Sequence, residues 1–369
     1  MVFRELFTVC LAAVSVTLMI ATGAFAQSAP LEIPFVHDWA SSPHAKMSEE
    51  PFTHWNEEGF IPTDCARCHS TAGLQDYLGA DGSEEGTVDK PALAGVGGIM
   101  CVACHNSATR NLTVVKFPSG EEVERFSSDA RCMLCHQGRE STVSVNEMIS
   151  KAGAGDDDVS DDVKFINIHY RAAAATRFGT EVKGGYEYDG KDYVGLYVHD
   201  EASTLCTDCH DNHTTRVTVD RCTECHDGLE KKADFHKIRT SKKDFDGNGN
   251  LDEGIAVEID TLHDALDEAI KAYAKDVAGT SIVYDPHNYP YFFVDKNENG
   301  AVDPGEAVFP NKYGSWTPRL VRAAYNYQYV AKDPGAYTHN PYYVIELLQD
   351  SLADLATKVD VPQPGTNRP

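Results

Sequence analysis

The sequence predicts a mainly α-helical protein with extensive irregular structure and only a small amount of β-structure. Residues 60–235 lack long periodic apolar segments, so we expect short helices joined by loops there. A Cys-x-x-Cys-His pattern recurs five times within the same region. Amphipathic helical periodicity becomes clear only after residue 240, where longer helices are expected.

The five Cys-x-x-Cys-His patterns carry the strongest functional signal in the chain. This pattern is the attachment site of c-type haem, whose porphyrin binds both thiols and whose iron takes the histidine as its proximal ligand. Zinc ribbons do not require the histidine, and redox-active cysteine pairs rarely recur five times. The sequence therefore predicts five covalent haems with the polypeptide packed around them. The motifs are Cys65/Cys68/His69, Cys101/Cys104/His105, Cys132/Cys135/His136, Cys206/Cys209/His210 and Cys222/Cys225/His226.

The N-terminal segment has the three parts of a secretory signal peptide. A charged start is followed by a short apolar run, and Ala24 and Ala26 form a small-residue cleavage site. The apolar run is too short for a comfortable membrane span. Cleavage after Ala26 would remove Cys10, so that the other ten of the eleven cysteines all lie in haem motifs. We therefore expect residues 1–26 to be a signal peptide and the protein to be exported.

The chain has a formal net charge of −25 at pH 7, and part of this acidity lies in two stretches that resemble calcium loops. So acidic a surface disfavours nucleic acid and anionic lipid headgroups as partners. The better loop spans residues 295–306, with Gly300 at the turn position and oxygen ligands at EF-hand positions 1, 3, 5, 9 and 12. These ligands are Asp295, Asn297, Asn299, Asp303 and Glu306. Residues 289–294 are predicted as a strand, so the loop is EF-like, and a solvated acidic turn is the alternative.

The second acidic stretch begins with Asp244, Asp246 and Asn248, which fit the first half of a calcium loop. Its twelfth position is Ile255, which offers no ligand. The closing carboxylate would therefore have to come from Glu253 or Glu258. Calcium at either loop is expected to be structural.

The sixth iron ligand is expected to be histidine. Ten histidines lie outside the motifs, whereas few methionines are available, so bis-histidine ligation is the default. This ligation suits electron transfer, because methionine ligation would raise the potential. The spare histidines are His37, His44, His54, His169, His199, His213, His236, His263, His287 and His339.

Several segments around these histidines resemble the multihaem c-type cytochromes of metal-reducing and related anaerobic bacteria. That group includes extracellular filament cytochromes and relatives of the octahaem reductases. The similar segments are residues 38–45, 52–55, 167–176, 195–199, 209–213 and 337–348. The resemblance implies six distal-ligand candidates for five irons, so one is surplus or serves a neighbouring subunit. The candidates are His44, His54, His169, His199, His213 and His339.

Local sequence signals place several helices. Asn340 is a natural N-cap before Pro341, so a helix is expected to begin there with His339 at its start. A helix over residues 162–177 is expected to carry His169, and residues 182–198 are expected to form a hairpin turning at residues 189–190. Further helices are expected around residues 262–273 and over 318–332.

These signals divide the chain into the signal peptide, a pentahaem domain over residues 27–240 and a C-terminal region over residues 241–369. The C-terminal region is expected to carry the calcium loops and to pack its helices back on the haems. The last two motifs lie 16 residues apart, so their haems are expected to be neighbours.

Two functions fit the sequence. The favoured one is electron transfer along a row of six-coordinate haems, in the periplasm or outside the cell during anaerobic respiration. Its partners would be redox proteins or an extracellular electron acceptor. The alternative is a reductase of a small oxyanion or nitrogen compound, which requires one haem with an open distal position.

The N-terminal segment over residues 31–55 suggests a possible mode of assembly. It carries three histidines ahead of the first motif, and its prolines are expected to keep it extended. Such an arm could donate His37 or His44 to an iron of a neighbouring subunit, giving head-to-tail oligomers or filaments with open ends. The alternative is an arm that folds back onto its own haems.

Overall fold

Short helices joined by irregular segments form the part of the chain that carries the five motifs. The computed structural model describes residues 32–201, 204–361, 365 and 367–369, so the predicted signal peptide lies outside the described residues. The chain divides into two units, Met1–Val36 and His37–Pro369. Among the described residues no helix is long and apolar enough to cross a membrane.

Between residues 32 and 240, over the residues that the structure describes, the helices have eleven residues or fewer. They are α1 (Val36–Ala40), α2 (Glu50–Thr53), α3 (Thr63–His69), α4 (Thr71–Tyr77), α5 (Cys101–Cys104), α6 (Ser107–Asn111), α7 (Ser127–Met133), α8 (Thr142–Ala152), α9 (Ala173–Phe178), α10 (Cys206–Cys209) and α11 (Val219–Thr223). Short 3₁₀ turns occupy Pro43–Ala45, Gly179–Glu181 and Lys232–Lys237. The prediction of short helices in this region is confirmed.

Three antiparallel two-stranded ladders complete the secondary structure of the described residues. Strands β1 (Phe60–Ile61) and β2 (Ala92–Leu93) pair, as do β3 (Val114–Lys116) with β4 (Glu122–Glu124) and β5 (Ile282–Tyr284) with β6 (Phe292–Val294). The last ladder directly precedes the 295–306 loop, so a strand leads into that loop as predicted.

The longest helices lie in the C-terminal region and form most of its apolar core. They are α12 (Ile255–Asp276), α13 (Pro318–Lys332) and α15 (Pro341–Leu355); α14 (Ala336–His339) is a single turn, and Phe309–Asn311 is a 3₁₀ turn. Leu262, Leu266 and Ile270 on α12 are buried, as the amphipathic pattern predicts. Thr317 caps α13 through Leu320 N–H, which confirms the predicted start at residue 318.

Hydrogen bonds connect the C-terminal helices to the region that carries the Cys-x-x-Cys-His motifs. Arg319 on α13 donates from Nε to Asp157 Oδ1 at 2.7 Å. Asp157 belongs to the acidic segment over residues 155–162, so this ion pair gives one carboxylate of that segment a partner. Asn340, the N-cap of α15, donates from Nδ2 to the Gly195 carbonyl at 3.0 Å. The Arg171 N–H donates to the Lys332 carbonyl at 2.8 Å.

The predicted helix over residues 162–177 is wrong, because only Ala173–Phe178 is helical. Residue His169 has φ +79°, and its N–H bonds the Asn167 side chain at 2.9 Å. The Ile168 carbonyl accepts from Arg139 N–H instead of from a helical partner. Backbone groups that bond to other segments cannot also complete a local helical ladder.

The predicted hairpin over residues 182–198 is also wrong, although the turn at residues 189–190 is present. Side chains satisfy the backbone where a strand ladder was expected. Tyr186 N–H donates to Asn326 Oδ1 at 2.7 Å, and Val194 N–H donates to Glu346 Oε2 at 2.8 Å. The segment is thus an irregular layer over α13 and α15.

Candidate functional site

Each Cys-x-x-Cys-His motif ends in one turn of helix. In four motifs the histidine N–H donates to the carbonyl of the first cysteine at 2.9–3.0 Å, and the first motif lies within α3. Residues spaced i, i+3 and i+4 share one face of a helical turn. The motif spacing therefore presents two thiols and one imidazole on the same side, as covalent haem attachment requires.

The ten motif cysteines are not equally covered by the polypeptide. Eight of them are half-buried, whereas Cys101 and Cys225 are exposed. Covalent attachment of haem at Cys225 stays a prediction from the motif.

A second histidine from a distant segment faces each motif histidine. The ring centroids are 5.8 Å apart for His69 and His169, 6.2 Å for His105 and His213, 6.3 Å for His136 and His44, 6.4 Å for His210 and His339, and 6.1 Å for His226 and His199. In the first pair the two Nε2 atoms face each other at 3.5 Å.

These separations fit one iron between each pair of rings. A metal–imidazole bond is about 2.0–2.1 Å long and the bonded nitrogen lies about 1.1 Å from its ring centre, so two rings on opposite sides of one metal are about 6.3 Å apart. All five centroid separations lie within about 0.5 Å of that value. The donor set of thiol pairs and paired imidazoles therefore fits five c-type haems.

Burial keeps three of the paired imidazoles, His44, His169 and His199, in the neutral form that binds metal, whereas Asp333 raises the pKa of His339. Burial, together with the neighbouring His136, lowers the pKa of His44 to about 4. Burial likewise lowers the pKa of His169 to about 4, with a further contribution from His69. The pKa of His199 is lowered by burial and by His226. A neutral ring has a free lone pair for the iron.

Five of the six nominated distal histidines face a motif histidine, and His54 does not. Its Nδ1 lies 2.7 Å from Glu50 Oε1, and its ring packs edge-on against Trp55. Trp55 in turn lies between His54 and His69, with its ring 5.1 Å from that of His69. This placement makes His54 the surplus candidate, because the indole separates it from the first motif.

The N-terminal arm is not extended over its described part beyond residue 36. Trp39 donates from Nε1 to the Ile99 carbonyl at 2.8 Å, and Ile99 N–H donates to the His44 carbonyl at 3.0 Å. His44 thereby faces His136 of its own chain. These bonds support the alternative in which the arm folds back onto its own chain.

Four of the paired histidines are oriented by a bond from Nδ1, which sequence reasoning missed. His69, His136 and His210 bond backbone carbonyls of Pro51, Arg171 and Thr215 at 2.7, 3.0 and 3.0 Å. A carbonyl partner leaves no signal in a sequence. His339 instead bonds both carboxylate oxygens of Asp333 at 2.9 Å. An aspartate six residues before the ligand was the available signal there.

Contacts between motif cysteines define which attachment sites are adjacent. Cys68 and Cys135 interact directly, and this hydrogen bond lowers the pKa of Cys68 to about 6. Cys132 is likewise bonded to Cys206. Cys132 also acts electrostatically on Cys104, and Cys209 acts on Cys222. The third motif therefore contacts the first and the fourth and lies near the second, and the fourth lies near the fifth.

In the 295–306 loop the acidic side chains turn inward. Gly300 N–H donates to Asp295 Oδ2 at 2.7 Å, and Glu306 accepts from the N–H groups of Lys296 and Asp303 at 2.8 and 3.0 Å. Asn297 and Asn299 both donate to Asp303 Oδ2. Asp295 and Glu306 are buried.

In the second acidic stretch the third carboxylate comes from helix α12. Carboxylate oxygens of Asp244, Asp246 and Glu258 lie within 4.8 Å of one another. Glu258 is buried and also accepts from Arg239 Nη1 at 2.7 Å, whereas Glu253 bonds Asn248. Burial raises the pKa of Asp246 and of Glu258. Of the two closing carboxylates considered from the sequence, Glu258 is the one grouped with Asp244 and Asp246.

Comparisons with known proteins agree with this geometry. The family described as cytochrome c7 and related cytochrome c matches residues 50–137, which contain the first three motifs. The chain is 26% identical over 352 residues to the C-type polyheme cytochrome OmcB of Geobacter sulfurreducens, covering 82% of this chain and 45% of OmcB. It is 25% identical over 386 residues to OmcC of the same species, covering 90% of this chain and 48% of OmcC. No solved structure matches the chain.

In its motifs and in these matches the chain is similar to multihaem c-type cytochromes. Its relatives among them are the polyheme cytochromes of Geobacter sulfurreducens, in agreement with the resemblance in its sequence. The chain spans about half the length of the curated relatives that it matches.

Proposed function

We propose that this chain is an electron-transfer protein that holds five covalent haems, each with its iron between two histidines. The observation that carries the proposal is the common spacing of the five imidazole pairs. When bound, a haem iron takes up and releases one electron. The proposed iron ligands are His69 with His169, His105 with His213, His136 with His44, His210 with His339, and His226 with His199.

The second histidine of each pair supports electron transfer over reduction of a substrate. Two imidazoles fill both axial positions of an iron and leave no position for an oxyanion or nitrogen compound. Bis-histidine ligation also keeps the potential lower than methionine ligation would. The chain's part is therefore to hold the imidazoles rigidly and to keep substrates away from the metal.

The adjacency of the cysteines supports a branched order for electron transfer. The thiols of the first, second and fourth motifs all approach those of the third, and the fifth motif adjoins the fourth. We propose that the third site, held by Cys132, Cys135 and His136, connects the other four. The predicted proximity of the last two haems agrees with the electrostatic interaction between Cys209 and Cys222.

We further propose that the protein acts after export, in the periplasm or at the cell surface, in anaerobic respiration. The signal-like N-terminus, the placement of ten cysteines in motifs and the net charge of −25 support this location. Its partners would be redox proteins or an extracellular electron acceptor. Residues 27–240 would carry the haems, and residues 241–369 would pack against them. His37 is exposed. In a homo-oligomer or filament it is the histidine of the N-terminal arm that would be donated to an iron of a neighbouring subunit.

Mass and spectroscopy test the haem proposal together. The mass of the purified protein should exceed that of its polypeptide by five haems, and the oxidised protein should give only low-spin ferric EPR signals. A stoichiometric high-spin ferric signal would overturn the bis-histidine assignment and favour a reductase. A mass that corresponds to fewer haems would refute the count of five.

We also propose that calcium binds both acidic loops and stabilises the C-terminal region. Bringing carboxylates together is unfavourable without a cation, and oxygen-rich loops closed by a glutamate are suited to calcium. The ligands would be Asp295, Asn297, Asn299, Asp303 and Glu306 in one loop, and Asp244, Asp246, Asn248 and Glu258 in the other.

Calorimetric titration with calcium should detect two sites in the wild type. Glu306→Gln and Glu258→Gln should each lose one site, whereas the matched control Glu253→Gln should keep both. Chelation should lower the thermal midpoint of the wild type, because a ligand that binds only the folded state stabilises it. An unchanged midpoint, with no binding heat, would contradict calcium binding.

A further inference from the structure

The fourth iron site differs from the first and third in having a carboxylate, rather than only a backbone carbonyl, bonded to one of its imidazoles. The Nδ1 atoms of His69 and His136 donate to neutral backbone carbonyls. In the fourth pair, His210 also donates to a carbonyl, but His339 donates to the carboxylate of Asp333. A charged acceptor makes a stronger hydrogen bond than a neutral one.

The chain holds Asp333 and His339 together within one tight turn. Asp333 follows the last residue of α13, and its Oδ1 also accepts from Gly335 N–H at 3.2 Å. The Ala336 N–H donates to the Asp333 carbonyl, and the His339 N–H donates to the Gly335 carbonyl. These bonds leave the carboxylate little freedom to move away from the imidazole.

Glycine at residue 335 is required for this approach. A Cβ atom at Gly335 would lie 2.7 Å from Cε1 of His339, which is closer than side-chain carbon atoms approach each other in folded proteins. The imidazole therefore packs directly on the backbone of the turn. The glycine and the carboxylate together set the position of the ring.

Asp333 is buried, so water screens its charge weakly. Its side chain is 2% exposed. Arg177 also acts on His339, but its Nη1 is engaged at 3.5 Å with Asp129. The negative charge of Asp333 also acts electrostatically on His136 in the adjoining third site. In a medium of low dielectric constant such a charge acts strongly over short distances.

We propose that Asp333 is a positioning residue that makes the His210/His339 iron lower in potential than the irons whose histidines bond only carbonyls. This inference rests on the proposed ligation of the five irons. A carboxylate that accepts Nδ1–H increases the electron density of the ring and raises its basicity as a ligand. Its negative charge also favours the ferric over the ferrous iron. Electron release from this site to its neighbours is thereby favoured.

The test is a potentiometric titration of the haem-loaded protein with Asp333→Asn, which keeps an acceptor oxygen but removes the charge. The reduction potential of one haem should rise, so that its ferrous-to-ferric ratio at a fixed potential increases about tenfold, which is about 59 mV for one electron. A smaller upward shift is expected at the third site, through His136. Asp333→Glu, which restores the charge, should bring the potential of the fourth site back toward the wild-type value.

Asp350→Asn is the matched control, since Asp350 is a buried carboxylate paired with Arg368 rather than with an iron ligand. Asp350→Asn should leave the reduction potential of every haem unchanged. If Asp333→Asn does not load haem, Gly335→Ala tests the same contact, because it pushes the ring away from Asp333 and should also raise the potential. Unchanged potentials in the loaded variant, or an equal shift in Asp350→Asn, would overturn the role of Asp333. A high-spin signal in the wild type would instead refute the ligation itself.

Discussion

Replacing His169 by alanine should leave one iron in five without its sixth ligand. In the present geometry His169 and His69 face each other with Nε2 atoms 3.5 Å apart, close to the roughly 4 Å that two metal–imidazole bonds span. Among the described residues near this site, His54 is the obvious alternative donor. It cannot replace His169 because the indole of Trp55 packs against both His54 and His69.

The expected magnitude is one high-spin ferric centre per chain, or one fifth of the haem. EPR spin integration of the oxidised variant measures it directly, and visible spectroscopy should show the same fraction. The other four centres should stay low-spin, since their imidazole pairs come from other segments. His54→Ala is the matched control and should keep five low-spin centres, because its ring bonds exposed Glu50.

Two results would refute this reasoning. One is a His169→Ala protein whose haems all remain low-spin, which would mean that His169 is not an iron ligand. The other is a His54→Ala protein that shows the same high-spin fraction as His169→Ala.

Two further predictions concern stability. Burial raises the pKa of Glu346 to about 7. The folded state therefore keeps a proton that the unfolded state releases at lower pH. The free energy of unfolding should fall as pH rises from about 4.5 to about 7. Glu346→Gln should remove this fall, so that the variant is more stable than the wild type by as much as about 3 kcal/mol at pH 8. Denaturant midpoints at pH 5 and pH 8 measure the change. A variant that keeps the wild-type difference between the two midpoints would contradict the prediction. Gly98→Ala should cost about 1–3 kcal/mol and displace His44, because a Cβ there would overlap the His44 carbonyl. The same denaturant measurement on Gly314→Ala, where a Cβ meets nothing within 4 Å, should show little change, and equal losses in both variants would count against the argument.

Local signals in the sequence predicted the helices of the C-terminal region well. Asn340 caps α15 as predicted, and α13 begins at Pro318 as expected, where the structure adds Thr317 as its cap. Capping depends on a few neighbouring residues, so it can be read without knowledge of the fold. The segment around His169 failed for the opposite reason, since its backbone bonds partners as distant as Lys332.

The choice among the spare histidines also needed the fold. His44 and His54 lie ten residues apart in the same arm, and the family resemblance implied both as candidate ligands. Contacts of Trp39 and His44 with Ile99 bring one of them to the third motif, whereas the bond to Glu50 holds the other aside. Spacing along the chain carries no information about such distant contacts.

By itself the sequence determined the haem chemistry of this protein, because covalent attachment needs two thiols and a histidine within a single helical turn. It also predicted the starts of α13 and α15 and two acidic loops of calcium type, whose proposed ligands are mostly close along the chain. Only the tertiary structure decided which histidine faces which motif, which carboxylate joins Asp244 and Asp246, and that Asp333 orients His339. The reason is physical: an iron or calcium site is completed by residues from separate segments, and their meeting depends on how the whole chain packs.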